Sequence, residues 1–191
     1  MNTIAAKSMN ALTRVVVGTT LAFFALAANA IPIGAPGTEG QKVIVSGTDH
    51  VIATYQGNTA SYSNDLRLNG NFIFNNHTTP VGASVDLGSF AIGTELIFEL
   101  FVNNTGYSYF TGPDSRNPDG HAHARVQANW QPGETLVSFE DLFNGPFEFN
   151  DLSFSFTNTT SGPTDVPEPN PLLLMLVGIG LIGVTVRYRR A

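Results

Sequence analysis

Two stretches of this chain combine residue types that could do chemistry. The first, Phe139-Glu140-Asp141-Leu142-Phe143-Asn144-Gly145-Pro146-Phe147-Glu148-Phe149-Asn150-Asp151, places side-chain oxygens on both sides of a Gly-Pro turn. Calcium takes six to eight oxygen ligands at about 2.3–2.6 Å, so an oxygen-rich hairpin of this kind suits Ca²⁺. The spacing is not that of an EF-hand. Glu140, Asp141, Asn150 and Asp151 are the candidate ligands, with Asp114 or Asp119 as a contributor from a second loop. The competing reading is a solvated acidic hairpin whose Asp and Asn side chains hold local backbone groups.

The second stretch, Gly112 to Arg125, is a turn-rich loop that ends in Gly120-His121-Ala122-His123-Ala124-Arg125. Strand alternation sets His121, His123 and Arg125 on one face. Two histidines at i and i+2 can share a transition metal, but Arg125 beside them opposes a cation and the chain has no cysteine to assist. A polar solvent face next to an ordered loop is the plainer expectation.

Catalytic patterns are lacking: there is no Gly-x-Ser-x-Gly elbow, no phosphate-binding Gly-rich loop, no His-Glu-x-x-His and no thiol nucleophile. The expectation is therefore a non-enzymatic protein. Calcium-dependent, lectin-like glycan binding is the alternative, with Tyr107, Tyr109, Phe110 and Trp130 beside the two loops as aromatic candidates. Glycoside hydrolysis is third, because it asks only for two suitably separated carboxylates.

The elements that must position these loops are strands. Leu96, Phe98, Leu100 and Val102 share one face of Glu95–Val102, while Ile97 and Phe101 make the other face apolar, which predicts a central strand. Leu152, Phe154 and Phe156 alternate with Ser153, Ser155 and Thr157, which predicts a half-buried one. Further strands are expected at Lys42–Val45, Val51–Gln56, Ser61–Leu68, Phe72–Phe74, Ser84–Phe90, Ala122–Ala128 and Thr135–Phe139. No amphipathic helix of useful length interrupts them. The fold class is all-β, an antiparallel β-sandwich with a jelly-roll-like arrangement preferred to an immunoglobulin-like one.

Residues 31–165 hold four Lys or Arg against fourteen Asp or Glu, a formal charge of −10. That balance disfavours nucleic acid and anionic lipid surfaces and suits solubility or a hard cation. Residues 1–30 form a secretory signal peptide: Lys7 and Arg14 precede an apolar run, and Ala28-Asn29-Ala30 supplies the small residues that signal peptidase accepts, predicting cleavage after Ala30.

At the other end, Val166-Pro167-Glu168-Pro169-Asn170-Pro171 leads into Leu172–Val186, which carries no charge, and then Arg187-Tyr188-Arg189-Arg190-Ala191. Alternate prolines force an extended linker, so the apolar helix is expected over 171–186. At 1.5 Å per residue it covers about 24 Å of a hydrocarbon core of about 30 Å. The span is short but usable with local thinning. Arg187, Arg189 and Arg190 act as a cytoplasmic stop and place the β-domain outside.

The triad Pro167-Glu168-Pro169 (167–169), the apolar segment and the basic tail 187–191 together resemble the PEP-CTERM sorting signal of Gram-negative bacteria, here 166–191. That resemblance implies exosortase as a partner, a transient inner-membrane intermediate with the domain outside, and a final place at the cell surface or in the extracellular matrix of a species that makes exopolysaccharide, in biofilm for example. Within the β-domain, Asn117-Pro118-Asp119-Gly120-His121-Ala122-His123, Phe139-Glu140-Asp141 and Asn150-Asp151-Leu152 resemble a bacterial extracellular domain family of unknown function, sometimes found beside calcium-binding repeats. Phe143, Pro146, Phe147 and Phe149 depart from its Gly- and Asp-rich pattern.

Overall fold

The structure, a computed structural model, describes residues 30–163. Ala30 is the first of these and is exposed. Ala28, the PEP triad 167–169, the expected helix 171–186 and the basic tail with Arg187, Arg189 and Arg190 lie outside the described residues. Among the described residues no helix is long and apolar enough to cross a membrane.

The described chain is all-β, as the alternation predicts. In order it forms β1 (Lys42–Val45), β2 (Ile52–Asn58), β3 (Asn64–Leu68), β4 (Asn71–Asn75), β5 (Ser84–Asp86), β6 (Glu95–Leu96) and β7 (Phe98–Val102). After β8 (Ser108–Phe110) and a single 3₁₀ turn at Asp114–Arg116 come β9 (Ala124–Gln131), β10 (Glu134–Phe139), β11 (Leu152–Thr157) and β12 (Thr159–Gly162). All pairings are antiparallel, in a five-stranded sheet β5-β2-β11-β10-β9, a four-stranded sheet β4-β3-β7-β8 and a small sheet β12-β1-β6.

The two larger sheets bury their inner faces against each other. Phe156 of β11 stacks on Phe98 of β7 with ring centroids 4.0 Å apart, and Phe154 lies 6.0 Å from Phe74 of β4 in a near-parallel stack. Tyr55 of β2 closes the group against both Phe74 and Phe154. Burying such rings supplies the apolar area that a domain without disulfides must rely on.

Four expectations need correction. The segment Glu95–Val102 is two strands. It breaks at Ile97, so that Glu95–Leu96 pairs with β1 while Phe98–Val102 passes into the four-stranded sheet between β3 and β8. Alternation is blind to such a corner, because the core-facing register runs on through it. The second face is not closed by apolar neighbours: Ile97 is 38% exposed, and Phe101 is covered by the Arg67 guanidinium, 4.0 Å from its centroid.

Strand β11 is buried on both faces rather than half-buried. The segment before β1 runs across its outer side. Gly34 donates its backbone N–H to Ser138 Oγ (2.8 Å), and Ser138 in turn meets Ser153 Oγ at 3.0 Å. Thr38 and Gly40 bond the backbone of Val126 and Ala124 on the edge strand β9. The approach is close enough that a Cβ on Gly34 would sit 2.9 Å from that of Arg125, so only glycine fits there.

The expected strand Ser84–Phe90 stops at Asp86, whose Oδ1 accepts the Gly88 N–H and turns the chain. The strand expected from Ala122 begins at Ala124, which removes the alternation that set His121 beside His123. Two strands had no forecast, β8 and β12. The second continues β11 after a bend at Asn158, which has φ 56°.

Candidate metal centre

Both stretches singled out by residue type converge on one end of the sandwich. Their entry loop is fixed by Arg116, which makes a two-pronged ion pair with Glu95 (2.6 and 3.2 Å) and donates to the Thr111 carbonyl. Two-pronged guanidinium–carboxylate pairs fix direction as well as distance. The loop therefore returns to the sheet with His123 directed inward.

His123 is fully buried, and its ring lies parallel to that of Tyr109, with centroids 3.7 Å apart. Nδ1 faces the Glu140 carbonyl and Nε2 faces Asp119 Oδ2, each at 2.9 Å. A ring protonated on both nitrogens satisfies both acceptors. His121 is exposed, with its ring tilted against that of Phe147 at a centroid distance of 5.1 Å. The two histidines do not share a face, and neither nitrogen of His123 is turned toward a site they could form together.

Asp119, a candidate calcium contributor by residue type, faces His123 instead. Its side chain is fully buried, and besides His123 it accepts the backbone N–H groups of Asn144 (2.8 Å) and His121 (3.2 Å). Burial raises the carboxyl pKa, but these hydrogen bonds and the histidine charge outweigh it and hold Asp119 below the ordinary carboxylate range. Asp114 sits exposed in the 3₁₀ turn, where its carbonyl accepts from Asn117.

Glu140, Asp141 and Asp151 come together where β10 ends and β11 begins, with one oxygen from each within 4.8 Å of the others. Glu140 is 2% and Asp141 4% exposed. Glu140 accepts the N–H groups of Leu142 (3.3 Å) and Glu148 (3.2 Å), and Asp151 Oδ2 accepts that of Asp141 (2.8 Å). Burial, reinforced by the Asp151 charge, pushes the Glu140 carboxyl up to about 8 and the Asp141 carboxyl up to about 6. Asn150 turns its amide to exposed Glu148 (3.0 Å), and it is the Asn150 backbone carbonyl that is held, by Thr59.

One participant was not foreseen. Asn64, fully buried at the start of β3, donates from Nδ2 to Asp141 Oδ2 at 2.7 Å, and its Oδ1 has no hydrogen-bond partner among the described residues. The signal was present: Asn64 is in register with Leu66 and Leu68, so an amide occupies a core-facing position. A cleft of about 290 Å³ lined by Thr59, Ser61, Tyr62, Asp141, Leu142 and Asp151 opens beside the cluster. Of the aromatic candidates, Tyr109 belongs to the core, Phe110 and Trp130 are half-buried, and Tyr107 is exposed and stacks on exposed Phe143 at 5.1 Å. Chemically the cluster is an all-oxygen, net-negative donor set.

Comparison with known proteins adds one identification, and it concerns the tail. The family model for the PEP-CTERM protein-sorting motif matches residues 165–190. The chain carries a PEP-CTERM sorting motif. It implies exosortase as the processing partner, with export and passage through the membrane. The match to the PEP-CTERM motif lies wholly beyond the β-domain described above. No curated protein and no solved structure matches the chain.

Proposed function

We propose that the domain of residues 31–165 is a non-enzymatic component of the cell surface or the exopolysaccharide matrix, delivered there by exosortase. The observation that carries this reading is the sorting motif placed after an acidic all-β domain. Processing releases the domain from its basic stop, so its working place is outside the membrane. The geometry of the acids supports a non-catalytic role. A hydrolase needs two carboxylates directed at one substrate bond, whereas Glu140 directs its carboxylate at backbone N–H groups of its own loop and Asp119 at those of His121 and of Asn144 in the neighbouring loop.

Intact-mass measurement of the protein recovered from cell surface and medium tests the reading, comparing hosts with and without exosortase. The expected product in the first host lacks Arg187–Ala191. If both hosts yield chains that retain it, exosortase processing is refuted and an ordinary anchor remains. Release of reducing ends from polysaccharides by the purified protein would refute the non-enzymatic role.

A further inference from the structure

We propose that Glu140, Asp141 and Asp151, together with the side-chain carbonyl of Asn64, bind one hard divalent cation, calcium in preference to magnesium, at the end of the sandwich where the two larger sheets meet. The proposal goes beyond the sorting and surface reading, and its failure leaves that reading standing.

Distance is the first argument. Two oxygens on one calcium ion, each at about 2.3–2.6 Å, are at most about 5 Å apart, and the three carboxylates present oxygens within 4.8 Å of one another. Magnesium, at about 2.0–2.1 Å and strictly octahedral, needs a tighter set.

Charge is the second. Three carboxylates, two of them almost fully buried, repel one another unless protonated or neutralised by a cation. The domain's arginines are engaged elsewhere: Arg67 with Asp65, Arg116 with Glu95 and Arg125 with Glu39. His123, the nearest histidine in the sequence, faces Asp119 and the Glu140 carbonyl. Nitrogen and sulfur ligands are thus missing from the donor set, which points to a hard ion rather than a transition metal.

Asn64 supplies an independent argument. A fully buried amide normally satisfies its carbonyl oxygen, yet among the described residues Asn64 Oδ1 has no partner while Nδ2 is fixed on Asp141. A neutral amide oxygen is a calcium ligand type, and the Asn64 amide is anchored on the cluster through Nδ2. Each carboxylate oxygen that already accepts an N–H keeps a further lone pair for the ion. The neighbouring cleft supplies the entry path and room for the water ligands that complete calcium's shell.

The consequence is mechanical. Asn64 opens β3 in the four-stranded sheet, Glu140 and Asp141 follow β10, and Asp151 precedes β11 in the five-stranded sheet. An ion on these four residues ties the two layers together.

The test uses the full chain, purified in detergent, treated with EDTA and dialysed free of it. Titration with CaCl₂ by calorimetry is expected to show one site, and 10 mM CaCl₂ is expected to raise Tm by about 5–10 °C, more than MgCl₂ does. Asp141→Asn is expected to melt above the wild type without calcium, since it removes one repelling charge, and to lose most of the calcium response. Asn64→Asp keeps an oxygen at the site, adds charge and is expected to melt lower without calcium but to show a larger shift with it. A wild-type Tm that ignores calcium overturns the proposal. So does a calcium shift that Asp141→Asn leaves at its full size.

Discussion

Asp119 and the Glu140–Asp141 pair are buried carboxylates in loops at the same end of the sandwich, yet their protonation equilibria move in opposite directions. Asp119 is held below the ordinary carboxylate range, while Glu140 and Asp141 are pushed above it. Desolvation acts on all three. All three accept hydrogen bonds, so the difference lies in the charge that faces them: Asp119 meets His123, whereas Glu140 and Asp141 meet the carboxylate of Asp151. Burial of an acid is therefore not evidence of a ligand site. A deficit of counter-charge is, and only the second group has one.

Removing the counter-charge from Asp119 should have the largest effect. His123→Ala leaves a fully buried carboxylate with only the backbone N–H groups of His121 and Asn144 to face it and opens a hole under Tyr109, against whose ring the imidazole lies at 3.7 Å. Loss of one partner from a buried pair typically costs about 3–5 kcal/mol. Urea unfolding at pH 7 should report a loss of that order. A loss below about 1 kcal/mol would mean that Asp119 is satisfied without the histidine, and the contrast between the two regions would fail.

The pH dependence of stability tests the other side. Glu140 and Asp141 titrate higher in the folded chain than in the unfolded one, so between the ordinary carboxylate range and about pH 8 the folded state binds more protons. Their contribution is fully present below the unfolded pKa values and is lost as pH rises through the folded ones. In EDTA, Tm should fall from pH 5 to pH 8, and Asp141→Asn should flatten the fall. Asp119, with its depressed pKa, acts in the opposite sense only at lower pH, where its stabilisation is lost on acidification. A Tm that rises steadily from pH 5 to pH 8 in EDTA would contradict the shifts assigned to the cluster.

The strand framework was readable from the chain because apolar alternation reports the core face directly: Leu66 and Leu68, Leu100 and Val102, Phe154 and Phe156 all point inward as their spacing requires. Ile97 was not readable as a corner, since a change of sheet alters hydrogen-bond partners without altering which side chains face the core. The covered outer face of β11 was equally hidden. Ser153 and Ser155 look solvated until the segment around Gly34 is laid over the sheet. At the site, Glu140, Asp141 and Asp151 were found by residue type and proximity to a turn. The His121–His123 pair was misread because alternation was extended into a loop that becomes strand only at Ala124. Asn64 was passed over because its partner lies 77 positions away.

Asn150 should show the smallest effect and draws the boundary of the site. Its sequence position beside Asp151 made it a candidate ligand, but Glu140, Asp141 and Asp151 converge at one point while the Asn150 amide bonds Glu148 in solvent. What Thr59 holds is the Asn150 backbone carbonyl, which substitution leaves in place. Asn150→Ala should thus change unfolding free energy by no more than about 0.5 kcal/mol, the usual range for a surface substitution, and leave the calcium-induced Tm shift intact. Because Asn64→Leu removes an oxygen only from the inner side, the pair of variants measures which asparagine belongs to the centre. Equal calcium responses from the two would place the ion nearer the surface of the hairpin than Asn64, and a loss confined to Asn150→Ala would restore the ligand set read from the turn alone.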